Sequence, residues 1–141
     1  MIGRVRPAFF SLFLIVAGCG GGEASSDGSA AAAQSSPNDV GRRVFSGTCA
    51  VCHSVKDPTA PGYTQLVGPS LFGVVGAKAG HVADFDYSKA MRESGLTWDD
   101  ATLNTFLENP QRTVPRTRMA FAGEPDPARR EAIISYLKTL K

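Results

Sequence analysis

Cysteine, histidine and tryptophan are scarce in this chain: three, two and one among 141 residues. The potential soft and imidazole metal ligands are therefore only Cys19, Cys49, Cys52, His53 and His81. A structural zinc ion takes four tetrahedral ligands. Beyond Cys19 the candidate set is Cys49, Cys52, His53 and His81, and the adjacent Cys52 and His53 would strain to reach one small ion. Strand signals are also missing, because there is no alternating β-branched run and no Asn-Gly hairpin turn. The longest apolar run, Ala8 to Gly18, has 11 residues, too few to span a bilayer. Charge of one sign is lacking as well. Basic residues number 15 against 13 acidic ones, and removal of a leader carrying Arg4 and Arg6 leaves the two nearly balanced. A strongly basic nucleic-acid binder is thereby excluded.

The chemistry is concentrated in Cys49-Ala50-Val51-Cys52-His53. A Cys-x-x-Cys-His pentad is an attachment signature for a c-type haem. Thiols at i and i+3 share one face of a helical turn, so both can add to the vinyl groups of a single porphyrin. The histidine that follows offers its imidazole to the iron. A thiol–disulfide motif of the same spacing would open a helix after a strand in a βαβ unit, a pattern not found here.

The N-terminus reads as a processing segment. Arg4 and Arg6 precede the apolar run, and Val16-Ala17-Gly18-Cys19 follows it. Small residues before a cysteine resemble the bacterial lipobox, which implies a signal peptide over 1–18 and lipidation of Cys19. The alternative is ordinary cleavage near Ala17. Residues 19–37 hold no large apolar residue and a low-complexity mix of Gly, Ala and Ser. Such a segment cannot bury enough surface to order itself. It reads as a tether, and its 18 residues after the anchor would span roughly 23 Å as a flexible chain.

Residues 38–141 form one domain, small enough to need a bulky apolar cofactor in its core. The pattern predicts helices. One starts with Asn38 or Asp39 as cap and carries Val40, Val44 and Thr48 at helical spacing. A short one covers Ser88 to Ser94 and ends at Gly95. A third opens with a capping box at Thr97, carries Leu103, Phe106 and Leu107, and stops at Asn109 before Pro110. The last is capped by Asp126, has Pro127 at its first position, and aligns Ile133, Tyr136, Leu137 and Leu140. Arg112 to Glu124 reads as loop. Candidates for a second axial ligand are Met119, Met91 and His81. Met91 sits inside a helix and His81 beside a glycine, where packing and solvation are the ordinary roles.

Seven pieces occur in order from Asp39 to Leu140. They are Gly41-Arg-Arg-Val-Phe45, the pentad, Gly68-Pro-Ser-Leu71, Gly95-Leu-Thr-Trp98, Leu107-Glu-Asn-Pro110, Pro115-x-Thr-x-Met119 and Phe121-Ala-Gly123. Together they resemble a class I cytochrome c of the branch holding mitochondrial cytochrome c and its bacterial carrier relatives. The resemblance implies an all-α fold of about five helices around one covalent haem c. It also implies His53 and Met119 as axial ligands, Pro69 as acceptor for the His53 ring, and Tyr87, Trp98 and Thr117 as propionate partners. Phe121 would lie beside the exposed haem edge, and Gly41 and Phe45 would cross Ile133 and Tyr136. Three positions depart from the pattern: Ala77 for an Arg that often neutralises a propionate, Phe106 for a Tyr that reaches the Met sulfur, and Met91 for a polar residue. The first two favour Fe(III) and imply a reduction potential below that of the mitochondrial protein, though still positive; Met91 pulls the other way.

The function this implies is that of a monomeric single-electron carrier in the bacterial periplasm. It would be held to a membrane by Cys19 and pass electrons from a quinol-oxidising complex to an oxidase, reductase or photosynthetic reaction centre. Arg43, Arg112, Arg116 and Arg118 form a basic rim diluted by Glu124 and Asp126, suited to weak, salt-sensitive docking on acidic patches. A peroxidase-type enzyme would need an open distal site, and a fixed subunit of a larger complex would co-purify with it.

Overall fold

The computed structural model describes residues 36–141, which hold five helices and no strand. The leader, Cys19 and the tether through residue 35 lie outside the described residues. Helix α1 spans Pro37–Thr48, α2 Lys89–Glu93, α3 Asp100–Glu108, α4 Pro110–Thr113 and α5 Pro127–Leu137.

Three helix boundaries differ from expectation. Helix α1 is capped by Ser36, whose hydroxyl accepts from the Asp39 N–H at 3.2 Å, while Pro37 occupies the first turn. Ser36 also donates to the Asp39 carboxylate at 2.8 Å. This pairing competes well with a cap at Asn38, because Pro37 has no N–H to satisfy and its fixed φ already suits a helix. Helix α1 thus reaches into the stretch read as tether.

Helix α3 is capped by Asp99, which accepts from the Thr102 N–H at 2.8 Å, and not by Thr97. Thr97 is held extended in an isolated antiparallel bridge with Lys78. The adjacent Trp98 N–H donates to Ala77 at 2.8 Å, so the chain cannot turn helical until Asp99. Helix α4 lies in part of the segment read as loop. Asn109 ends α3 with φ −157° and at once caps α4, accepting from the Arg112 N–H at 2.9 Å. Pro110 stops one helix and opens the next because it lacks the N–H that only a helix interior needs. The short α2 and the Asp126 cap of α5 are as expected.

Helices α1 and α5 cross closely, and α3 packs against both α5 and α4. The crossing depends on Gly41. A Cβ there would lie 1.9 Å from the Ala132 carbonyl oxygen and 2.8 Å from the Tyr136 Cβ. One turn on, the Phe45 ring meets Tyr136 with centroids 5.3 Å apart. Ile133 and Leu137 are buried beneath them, and Leu140, past the helix end, packs on the same cluster. The buried Arg130 guanidinium ties α5 to the preceding loop and to α3, donating to the Glu124 and Pro125 carbonyls at 2.8 Å each and to Asn104 at 2.5 Å.

The turn after α4 holds a strained residue. The Thr117 N–H donates to the Val114 carbonyl at 3.0 Å across Pro115 and Arg116. Arg116 has φ 70°, the left-handed conformation that the third position of this turn type demands and that glycine adopts most freely. Arg116→Gly should therefore raise stability by about 1 kcal/mol, strain relief exceeding the entropy that glycine adds to the unfolded chain. A urea titration checks this; a midpoint that moves down would refute it.

Candidate functional site

The pentad closes the turn that its spacing requires. The Cys52 and His53 N–H groups both donate to the Cys49 carbonyl, at 3.0 and 2.9 Å. Both thiols are partly buried and unlinked. Burial, with the neighbouring Cys52 adding to it, pushes the Cys49 thiol up to about 11. Reactive redox thiols have depressed values, so this microenvironment is wrong for disulfide exchange. Among the described residues no three His, Cys, Asp or Glu side chains converge as a metal cluster.

His53 is fixed by a segment distant in sequence. Its Nδ1 lies 2.8 Å from the Pro69 carbonyl oxygen. A carbonyl only accepts, so Nδ1 carries the proton and Nε2 keeps its lone pair for a metal. Burial pushes the imidazole below its ordinary value, the Pro69 bond opposing, and a neutral ring is the ligating form. Gly68 makes the approach possible. A Cβ on it would lie 2.5 Å from the ring Cε1 and 2.7 Å from Nδ1. The segment is clipped down by the Gly68 N–H to Cys52 at 2.8 Å and by Ser70, wholly buried, which donates to the Lys56 carbonyl at 2.6 Å.

Against this turn opens a cavity of about 720 Å³, within the roughly 300–1,000 Å³ of small-molecule and cofactor sites. Every expected site residue among the described ones lines it: Cys49, Cys52, His53, Pro69, Tyr87, Trp98, Thr117, Met119 and Phe121. Phe106 and Met91 line it too, both buried, and Phe106 stacks on Trp98 with centroids 4.9 Å apart. Tyr87 is buried, which pushes its phenol up and keeps the hydroxyl protonated. Its oxygen accepts from the Val82 N–H at 3.4 Å, leaving its own proton free to donate.

One expectation fails here. His81, read as a solvated loop residue, lines the cavity, and both ring nitrogens are buried without a hydrogen-bond partner. A flanking glycine predicts exposure only while nothing packs over it, and residues 80–82 lie against Tyr87.

The loop carrying Met119 is held from two sides that the sequence reading missed. Gln111 donates to the carbonyls of Thr117 and Met119 at 3.0 and 3.3 Å. Arg118 pairs with Asp86 at 3.1 Å and also donates to the Asp86 carbonyl; Arg92 pairs with the other carboxylate oxygen at 3.2 Å. Arg118, then Arg92, holds the Asp86 carboxyl below the usual carboxylate range. A depressed carboxyl contributes stability above its unfolded value, and the contribution fades as pH falls through the lower folded one. Because Asp86 is exposed, salt screens the clasp. Asp86→Asn should speed amide exchange at Thr117 and Met119 about threefold, and added salt should act in the same direction on the wild type. Unchanged exchange in the variant would show that Gln111 alone holds the loop.

Residues 39–141 match the Cytochrome c family, described by that name. The chain belongs to the cytochrome c family. It is 48% identical over 99 residues to cytochrome c2 of Rhodomicrobium vannielii, covering 70% of this chain and 75% of that one. With cytochrome c2 of Rhodoblastus acidophilus it is 46% identical over 103 residues, covering 73% and 92%. Among solved structures, cytochrome cH from Methylobacterium extorquens superposes with a TM-score of 0.63 at 44% identity, covering 71% of this chain and 95% of that one. The all-α architecture is that of a class I cytochrome c, and the protein is an electron carrier with covalently bound haem c. The residues present fit that group: two thiols on one turn, a neutral imidazole with Nε2 free, and an apolar cavity of suitable size.

Proposed function

We propose that this cytochrome c is a membrane-tethered, non-enzymatic carrier of single electrons. It is exported, lipidated on Cys19 and held in the periplasm by the segment between Cys19 and the Ser36 cap of α1. It accepts electrons from a quinol-oxidising complex and delivers them to an oxidase, reductase or photosynthetic reaction centre. One observation carries the reading of the site: a ring-fixed His53 and the Met119 loop line the same cavity. Bound there, haem supplies the one-electron couple.

The chain's residues hold it and exclude competing chemistry. Cys49 and Cys52 would hold the haem through thioethers, and His53 and Met119 would ligate its iron. Imidazole plus thioether favours Fe(II) more than two imidazoles would. An iron ligated by both residues would have no vacancy for substrate, which supports outer-sphere transfer and argues against peroxidase-type turnover. Pro69 orients His53. Tyr87, Trp98 and Thr117, which line the cavity, would donate to the propionates, and Phe121 would border the haem edge. Of the rim cations, Arg112 pairs with Glu108 at 3.3 Å and Arg118 with Asp86, so Arg43 and Arg116 carry most of the steering charge. Docking through so dilute a rim is weak, and the tether compensates by raising the local concentration near membrane partners.

The test is expression with periplasmic haem-maturation machinery. Red protein that keeps its colour through acidified acetone, in a membrane fraction whose N-terminal peptide starts at a lipidated Cys19, is the expected result. An unmodified N-terminus overturns the anchor, and extractable colour overturns covalent attachment. In the same preparation Phe106→Tyr should raise the midpoint potential, because a hydroxyl near the thioether draws electron density from it; a null or downward shift would refute this.

A further inference from the structure

His81 is half-buried, yet its two ring nitrogens are the buried side-chain polar atoms that lack any partner among the described residues. A neutral imidazole has one N–H donor and one acceptor nitrogen, and leaving both unpaired in the interior is unfavourable. No group among the described residues hydrogen-bonds either nitrogen, and Ala77, in the neighbouring segment, has no polar side chain. The cavity that His81 lines is where a partner can enter.

Its place in the fold says which part of the haem that is. Residues 76–79 run beside 96–98, with Gly76 donating to Trp98 at 2.9 Å, Trp98 to Ala77 at 2.8 Å and Ala79 to Leu96 at 2.9 Å. A Cβ on Gly80 would stand 3.9 Å from the Tyr87 ring, and the Val82 N–H donates to the Tyr87 hydroxyl at 3.4 Å. His81, between those two contacts, is thus fastened beside Tyr87 at the corner that Trp98 shares. A porphyrin is apolar except for its iron centre and its two carboxylates, and only the carboxylates accept hydrogen bonds at its periphery.

We propose that His81 is a positioning residue that donates a hydrogen bond to a haem propionate, joining Tyr87 and Trp98 at that corner. The inference rests on the propionate roles given to those two residues above. Drawing negative charge away from the propionate makes Fe(II) easier to form, so the contact raises the reduction potential.

The test uses the haem-loaded protein, with His81→Leu, His81→Gln and Tyr87→Phe compared with wild type. Resonance Raman reads the propionate bending vibration, potentiometry the midpoint, and the near-infrared sulfur-to-iron band the integrity of the axial set. His81→Leu should shift the propionate mode and lower the midpoint with the band intact, and His81→Gln, which keeps a donor, should restore both towards wild type. A shift with Tyr87→Phe but none with His81→Leu overturns the proposal alone. If neither variant moves the mode, the propionate reading of Tyr87 falls with it. If His81→Leu loads haem poorly, His81→Gln and proton NMR of the wild-type His81 ring decide: an N–H exchanging as fast as a free imidazole overturns the proposal.

Discussion

Met119→Leu in the haem-loaded protein should abolish the near-infrared sulfur-to-iron band of the ferric form, lower the midpoint potential and open the iron to cyanide. Leucine nearly matches methionine in volume, and such swaps usually cost under about 1.5 kcal/mol in packing. The fold should therefore survive, and the spectrum reports ligation alone. Loss of the thioether removes the ligand that favours Fe(II), so the potential falls. Cyanide no longer has to displace a bound sulfur, and its affinity should rise on the order of a hundredfold, about 2.7 kcal/mol. The control is Met91→Leu, because Met91 lines the same cavity from α2. That variant should keep the band. If Met91→Leu removes it and Met119→Leu does not, the axial assignment is reversed. If each variant keeps the band, either methionine can serve and the assignment to Met119 alone fails; if the wild type shows no band, no methionine ligates and the closed six-coordinate site is lost as an argument against catalysis.

Gly41→Ala should be among the most damaging single methyl additions in the domain. The added carbon would sit 1.9 Å from the Ala132 carbonyl oxygen and 2.6 Å from its carbonyl carbon. Those atoms are helix backbone, so no rotamer relieves the overlap and α1 and α5 must move apart. Separation costs dispersion contacts along the whole crossing, including Phe45 against Tyr136. Overpacking a tight core costs typically 1–3 kcal/mol, and a backbone-on-backbone clash belongs at the top of that range, at about 3 kcal/mol. In a domain of this size that lowers Tm by on the order of 15 °C. The favourable helix propensity of alanine offsets only about 1 kcal/mol. A loss below about 1 kcal/mol in denaturant titrations would mean that the two helices slide without penalty and that the crossing is not a fixed feature of the fold.

What could be read from the chain alone was whatever depends on near neighbours. The turn Cys49–His53, the caps of α2 and α5, the end of α3 before Pro110 and the inward face of Ile133 and Leu137 all follow from spacings of a few residues. Local backbone geometry makes those spacings meaningful. The cap of α1 lies two or three residues before the expected position and that of α3 two residues after it, in the second case because a distant bridge to Lys78 holds Thr97 extended.

The amino-acid sequence by itself determined the covalent chemistry, the helical class and the family, since thiol spacing and helical periodicity are written in consecutive residues. Only the tertiary structure decided what surrounds each group. His53 is oriented by a carbonyl 16 positions away, the Met119 loop is clasped to an aspartate 32 positions away, and Gly68 is needed because it lies against the His53 ring. His81 carries the same lesson: a glycine beside it suggests solvent, yet in the closed fold both of its ring nitrogens are buried. Burial and pairing are properties of contacts made after the chain has closed on itself, and no local pattern contains them.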